Sequence, residues 1–486
     1  MIRKQINIQI LSISYEFRAM EWSLLYRRPD PCWIINSSIE VVKLLRSLNL
    51  KNLVKRFIVI SLFAAVHQNG YASELDSVST NFELRTQGFH NTKECFPLHM
   101  ENIDSVNTLY LYCSKIAFEQ DGLSKDVSEN FSISSELARR FNFWKRIYSL
   151  WSEDQYVLHI ANYPEVVLEI ADVSDLDAEL HWSKKQKRAY KILKERKKQY
   201  KQVLKKMHAL RTAPEHFSPT MKRIAANMKH IDDSNKYRIA ANSIRTQRGQ
   251  RDPIAKGLAN STRYMDILEA IFESEGIPKE LAKIAFIESS FNLKAHSKVG
   301  ASGVYQLMPG TAKQFKLKVT KTIDERRDPV KSARAAAKLL KENFRILKQW
   351  PLAITAYNHG AYGLKKAIRK THSSRIEDLI ENYNSPSFGF ASKNFYAGYL
   401  AILATLNKSE QVFPNIVDSP PLIFTEVKLK RTTKISSIRK QYSLTNETIK
   451  DFNPDLSNRF LRYGSLPRNY LLKIPVLNTN TAQSDR

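Results

Sequence analysis

Apolar positions recur along this chain in several different ways, and each predicts a different kind of segment. Phe57 to Val66 is a continuous apolar run of ten, broken only by Ser61. Residues 73–180 are mixed and weakly periodic, with Tyr156 to Ala161 and Val166 to Ile170 fitting either short strands or short helices. Between 184 and 211, Tyr190, Leu193, Tyr200, Leu204 and Met207 fall at heptad a and d spacing, with Lys197 interrupting. That spacing predicts one long helix with a single apolar stripe. From about 262 to 407 the apolar residues come at dense helical spacing. Asp328-Pro329 is a start signal there, an acidic N-cap followed by proline at the first helical position. The helix it opens runs through Ala333, Ala336, Ala337 and Leu340, and Gly276 and Pro278 bracket another start. Pro414, Pro420 and Pro421 then mark a linker. Beyond it, Ile438, Tyr442, Leu444 and Ile449 sit in two short helical patterns. Phe452-Asn453-Pro454 ends the second, and Tyr470 to Pro475 reads as a strand.

The expected organisation is an extension at 1–50, a leader at 51–72, a region of unassigned function at 73–180 and a basic helical region at 181–261. A helical domain at 262–410, a linker at 411–421 and a small α+β unit at 422–477 complete it. The fold class is mainly α.

Composition narrows the partners. The chain has 486 residues, 43% of them apolar, enough for two to four cored units. Its net charge is +28, from 76 Lys+Arg against 48 Asp+Glu, which favours anionic partners. Residues 184–211 hold thirteen Lys or Arg and one acid, Glu195. The outer face of that helix is either a solvated surface or a contact for anionic envelope polymers or a lipid surface. Lys51, Lys55 and Arg56 precede the apolar run, and Gly70-Tyr71-Ala72 follows it, in the pattern of a secretory signal. The run is too short to span a bilayer, which takes about 20 apolar residues; a buried strand is the other reading. A leader belongs at the start of a chain, so residues 1–50 read as an extension absent from the mature protein. Export implies a periplasmic address, and no nucleic-acid partner is expected. Cys95 and Cys113 are then an even pair in an exported chain, open to a disulfide or to two buried thiols. No cysteine directly follows the apolar run to take a lipid. No metal cluster, phosphate loop or cofactor fingerprint is visible, so no metal or cofactor is expected.

The chemistry concentrates on the helix expected to begin near Pro278. At 100° per residue, Leu281, Ile284 and Ala285 share one side and Lys279 and Lys283 the other, and Glu288 falls inside the apolar stripe. A carboxylate there is costly unless paired or functional. Desolvation raises its pKa, which is what a carboxylic general acid needs near neutral pH. A helix-end glutamate reaching solvent would give the same periodicity.

Around Glu288 stand AFIESSFN (285–292), GASGVYQLMPGTAKQF (300–315), AYNHG (356–360) and FGFASKNFYAGYLAIL (388–403). Their order and spacing resemble the catalytic domain of lytic transglycosylases of the soluble and membrane-bound D types, a relative of goose-type lysozyme. The resemblance covers residues 262–407. It implies a lysozyme-like helical domain acting on peptidoglycan glycan strands, with Glu288 as the catalytic acid. Ser289 matches the serine that steadies substrate and acid, Gly303 and Gln306 the substrate loop, and Tyr357 and Asn358 the pair facing the acid. Gly303 permits a tight backbone path beside a sugar. Gln306 and Asn358 can donate to and accept from hydroxyl and acetamido groups, and Tyr305 and Tyr357 offer flat faces to a pyranose. The implied reaction cleaves the MurNAc–GlcNAc β-1,4 bond and closes a 1,6-anhydro ring, with a water-using muramidase as the rival. Two departures stand out. The substrate loop reads Gly303-Val304-Tyr305-Gln306 rather than Gly-Leu-Met-Gln. The tyrosine of the last motif aligns with Phe395, so Tyr396 is expected to take its place. The C-terminal unit resembles a LysM module, a βααβ glycan-binding domain, but Thr432-Thr433 stands where that module usually opens with Gly-Asp. Glycan binding and a structural cap are both open for it.

Overall fold

A computed structural model describes residues 127–128, 130–176 and 182–476, all within one unit that spans Leu123–Arg486. The extension, the leader and the pair Cys95 and Cys113 lie outside the described residues.

The first helix, α1 (Ala138–Ser149), carries aromatic residues on its buried side: Phe141, Phe143, Trp144 and Tyr148. Two antiparallel strands follow, β1 (Gln155–Ile160) and β2 (Val167–Asp172). The basic helix is α2 (Trp182–Ala209). Its buried stripe is Ala189, Leu193, Leu204 and Met207, with Tyr200 part-buried. Tyr190, expected in that stripe, is 67% exposed. Ala189 and the part-buried Lys197 take the inner positions instead, because the face drifts about 20° per heptad from a strict 3.5-residue repeat. Lys187, Lys191, Lys194, Lys198, Lys201 and Lys205 are exposed.

Helices α3 (Pro219–Asn227) and α4 (Lys236–Asn242) lead to β3 (Ile244–Arg248), which pairs antiparallel with β1. The sheet order is β2-β1-β3. One core holds Leu158, Leu168, Leu193, Leu204, Met221 and Ile224, so α2 and α3 pack with this sheet. The sheet therefore joins residues on both sides of the division expected at 180/181.

Next come α5 (Arg251–Ser261), α6 (Met265–Ser274), α7 (Ile284–Ser289) and α8 (Pro309–Gln314). They are followed by α9 (Pro329–Leu347), α10 (Trp350–His359), α11 (Ala361–Thr371), α12 (Ile376–Asn382) and α13 (Phe390–Asn407). Asp328 caps α9 as its sequence predicts, its side chain accepting from the backbone N–H of Val330 and Lys331, with Pro329 at the first position. Val330, Ala333, Ala336, Ala337 and Leu340 form the buried face. Helix α13 is buried along most of its length and packs against α1, α7 and α10. Asn394 on α13 accepts from Trp144 Nε1 at 3.1 Å and Arg140 Nη1 at 3.2 Å, fastening α1 to it. No helix among the described residues is long and apolar enough to cross a membrane.

A short helix α14 (Ser409–Val412) opens the proline-rich stretch. That stretch is tied down: Ser419 N–H donates to Thr262 Oγ1 at 2.9 Å and Leu422 N–H to the Arg263 carbonyl at 2.9 Å. The C-terminal unit runs β4 (Phe424–Lys428), β5 (Thr433–Lys434), α15 (Ile435–Tyr442), α16 (Asn446–Phe452), α17 (Asn458–Tyr463), β6 (Ser465–Leu466) and β7 (Leu471–Pro475). Strand β4 pairs with β7, and β5 with β6. It has three helices where the pattern predicts two; α17 is capped by Ser457. Its core includes Ile323 from the preceding domain. Lys331 pairs with Asp455 at 2.9 Å, Arg334 is bidentate to Glu426 at 3.0 Å, and Lys473 pairs with Asp328. This unit is docked through two buried charge pairs and one at the surface.

Candidate active site

The helix expected from Pro278 forms as two pieces: a 3-10 turn, Lys279–Lys283, and then α7. Leu281, Ile284, Ala285 and Phe286 are buried, which anchors the pieces and leaves Glu288 on the last turn. The helix stops at two successive left-handed residues, Ser290 (φ 52°) and Phe291 (φ 53°). Non-glycine residues rarely take that conformation. Here it swings Phe291 fully into the core against Phe286, at 5.5 Å between ring centroids. At Gly257 on α5 a Cβ would lie 1.9 Å from the Ser290 carbonyl oxygen, so this turn is seated directly on α5.

Glu288 is half-buried by surface area, and its carboxyl has no hydrogen-bond or ion-pair partner among the described residues. Burial, not a neighbouring charge, pushes it up to about 8. Below that pH the group holds a proton and can donate it.

Ser289 is a bracket. Its hydroxyl lies 2.9 Å from the Val304 carbonyl oxygen and 3.1 Å from that of Ala285, and it accepts from Asn292 N–H at 3.2 Å. The end of α7 is thereby tied to the loop at 300–307. Gly303 has φ +78°, and a Cβ on it would stand 1.7 Å from the Arg326 carbonyl oxygen. It is buried and serves the packing of the loop, which corrects the expectation that it lies beside a sugar. Arg326, buried, donates to the carbonyls of Gly300 (2.6 Å) and Leu307 (3.0 Å) and is bidentate to Asp324 at 2.9 Å. Gln306 is also left-handed (φ 46°) and its Nε2 donates to the Gly303 carbonyl at 2.8 Å.

Tyr305 is the second correction. Its side chain has no exposed surface, its ring stacks on Phe272 at 6.0 Å, and its hydroxyl donates to the Ala282 carbonyl at 3.1 Å. It offers no face to a sugar. Tyr396 is the third: only 3% exposed, it donates to the Ser132 carbonyl at 3.1 Å. Facing inward on α13 instead is Phe395, its ring 6.4 Å from and nearly parallel to that of Tyr357.

Tyr357 is part-buried and its hydroxyl donates to the Tyr305 carbonyl at 2.8 Å. Burial and then the charge of Glu288 raise its phenol well above the ordinary value. Asn358 is exposed, with Oδ1 accepting from Ser392 at 2.8 Å. A recess of about 490 Å³ opens beside it, lined by Arg245, His359, Ser387, Phe390 and Ser392 among others. Arg245 lies 4.4 Å over the Phe390 ring. Among the expected residues the fold thus joins Glu288, Ser289, Gln306 and Tyr357 around the loop at 300–307, sets Asn358 on an adjoining recess whose lining does not include Glu288, and withdraws Gly303, Tyr305 and Tyr396 into the packing.

Sequence reasoning missed two residues that the fold brings into this region. Arg326 stands in a charged DERRDP stretch whose acids read as helix caps, and its buried guanidinium has no local signature. Tyr148 lies about 140 residues before Glu288; its only signal is the aromatic stripe of α1.

A short helix that carries one desolvated glutamate near Tyr357, in a mainly helical domain, defines a lysozyme-like fold. Comparison with known proteins agrees. Residues 267–380 match the family model described as Transglycosylase SLT domain. The membrane-bound lytic murein transglycosylase D of Escherichia coli K12 is 27% identical over 194 residues, covering 39% of this chain and 42% of that protein. A protein of Alteromonas sp. strain M-1 named for tributyltin chloride resistance is 30% identical over 165 residues, covering 34% of this chain and 78% of that one. The chain belongs to the lytic transglycosylase family. The match spans less than half the length of the E. coli relative. A structure of an inactive variant of lytic transglycosylase Slt from Pseudomonas aeruginosa aligns at 18% identity and a TM-score of 0.24, covering 41% of this chain and 29% of that one, too low a score to bear on the fold.

Proposed function

We propose that this chain is a peptidoglycan lytic transglycosylase, cleaving the MurNAc–GlcNAc β-1,4 bond with Glu288 as its one catalytic carboxyl group. The observation that carries the reading is the unpartnered, desolvated Glu288 carboxyl, protonated up to about pH 8. It would protonate the leaving oxygen, and the substrate's acetamido group would meet the charge growing on the MurNAc ring. The carboxylate so formed would take the proton of the C6 hydroxyl as that oxygen closes the 1,6-anhydro ring. The protein's part is to hold the sugar so that its own hydroxyl outcompetes water. Ser289, by bracing α7 against the loop, keeps Glu288 placed, while Gln306, Tyr357 and Asn358 would bind the sugar.

A hydrolytic muramidase of the inverting kind needs a second carboxylate about 6.5–9.5 Å from the acid. The acids between the motifs are engaged elsewhere: Asp324 with Arg326, Glu325 with Lys331, and Asp328 with Lys473. This favours the substrate's hydroxyl as the nucleophile. Incubation with purified murein sacculi and mass analysis of the products tests the reading. 1,6-anhydroMurNAc ends are expected. Reducing MurNAc ends would mean that water is the acceptor, and no release at all would mean a glycan-binding scaffold.

The same reading places the protein in the bacterial envelope, exported by the 51–72 leader into the periplasm. It makes the exposed lysines of α2 a contact for anionic envelope polymers or lipid, and the C-terminal unit a LysM-like glycan binder.

A further inference from the structure

Gly398 on α13 lies where α1 and α7 approach. A Cβ there would stand 3.1 Å from Ile287 Cδ1 and 3.2 Å from the hydroxyl oxygen of Tyr148. The Tyr148 hydroxyl and Ile287 therefore crowd the same glycine, and Glu288 is the next residue along α7. The Tyr148 side chain is only 2% exposed. Its ring stacks on Trp144 at 5.7 Å, and Trp144 is itself held to Asn394. Two packed helices thus determine where this hydroxyl sits.

The hydroxyl has no hydrogen-bond partner among the described residues. Three of its neighbours of the same chemistry are committed. Tyr357 donates to the Tyr305 carbonyl, Tyr305 to that of Ala282 and Tyr396 to that of Ser132. Tyr399 also has a hydroxyl without a partner among the described residues, but it is sealed in the core and faces the charges of Glu280 and Glu269, not Glu288. Phe395 has no hydroxyl to offer. We propose that Tyr148 is a positioning residue for Glu288, its hydroxyl donating to the carboxylate once the acid has given up its proton. The site would then be completed by a helix outside the 267–380 segment that the family model matches.

The electrostatics agree. Burial and then the charge of Glu288 raise the Tyr148 phenol far above its usual value, so it stays a donor throughout the working range. The other titratable group facing Glu288 is Tyr357. From the elements packed around α7, Lys283 pairs with Glu269, Glu280 is held by Ser128 and Asn130, and Tyr396 is coupled to Glu377. A donor that meets only the ionised carboxyl steadies it against burial and orients it for the second half of the reaction. That second clause rests on the reaction proposed above; the contact itself does not.

Tyr148→Phe removes one oxygen and keeps the ring packing. It should lower kcat roughly tenfold, the scale of one charge-assisted hydrogen bond, with KM little changed. The alkaline midpoint of activity should move upward by about one pH unit, since the carboxylate loses its donor. A midpoint that stays at the wild-type value overturns the proposal, whatever happens to kcat. A readout free of activity is the pH dependence of thermal unfolding. Tyr148→Phe should alter it in the wild-type background and leave it unaltered in Glu288→Gln; an equal change in both backgrounds would mean a packing role and overturn the proposal. If wild-type protein forms no anhydro ends, the proposed reaction fails while this unfolding comparison still decides the contact.

Discussion

Lys473, on the last strand of the C-terminal unit, donates to Oδ2 of Asp328 while Oδ1 of the same carboxylate caps the backbone of α9, and neither side chain has any exposed surface. One carboxylate thus starts the long helix and anchors the appended unit. Burial alone would raise Asp328, but Lys473 and Lys331 outweigh it and hold the carboxyl below its ordinary range. Lys473→Met leaves that carboxylate short of a partner, and breaking a buried pair from one side costs about 3–5 kcal/mol. A matching fall in urea-unfolding stability is expected, with partial recovery in Lys473→Met/Asp328→Asn. Deleting 413–486 should lower the melting temperature too, because these buried pairs are lost, and should slow cleavage of sacculi more than that of short soluble fragments; equal slowing on both would mean a structural cap.

The same pair sets an acid limit. A carboxyl with a depressed folded pKa contributes stability that is complete above its unfolded value, about 3.9, and is lost as pH falls toward the folded value. Unfolding scans at falling pH should show this loss below about pH 4 in the wild type. The slope should be shallower in Lys473→Met.

Glu288→Gln should remove turnover by a factor of at least about 100. It should also stabilise the fold at neutral pH. The Glu288 carboxyl is raised from 4.5 to about 8. Its ionisation is therefore disfavoured in the folded state, and stability falls as pH rises from the lower value to the higher. The advantage of Glu288→Gln should be absent near pH 4, grow through that window and level off above it, reaching on the order of a few kcal/mol. Calorimetry across pH reads it; equal melting temperatures at pH 8 would show that the carboxyl is not desolvated.

Activity should fall on the alkaline side with a midpoint in kcat/KM near 8, as the free protein loses the proton on Glu288. A midpoint near 5 would identify a solvated carboxyl and shift attention to another acid.

Gly303→Ala should be among the most damaging single methyl additions. The left-handed φ and the 1.7 Å approach to the Arg326 carbonyl both oppose a Cβ. A loss of about 2 kcal/mol or more is expected, with weaker glycan binding because Gln306 hangs on the Gly303 carbonyl. Unchanged urea stability would contradict the packing described for this loop.

Much of the catalytic domain was legible because its signals are local. The Asp328-Pro329 start needs only two residues, and Glu288 betrays itself by standing in an apolar stripe. The aromatic residues were harder. Tyr305 and Tyr396 sit inside or beside the motifs, yet nothing along the chain distinguishes a ring facing a sugar from a ring facing Phe272. Pairings across long separations left no trace at all. Strand β3 finds β1 some 90 residues away, and the polar Lys473 reads as a surface residue until Asp328 is placed opposite it.

Trp144 and Asn394 are 250 residues apart in sequence and 3.1 Å apart in the fold. A ribosome adding about 5–20 residues per second needs on the order of ten to fifty seconds to supply the second after the first. Throughout that interval Trp144 lacks its partner on α13, and Gly398, on which the Tyr148 hydroxyl packs, has not been made. A nascent chain of this protein therefore leaves α1 and α7 without the helix that packs against both until α13 has been made.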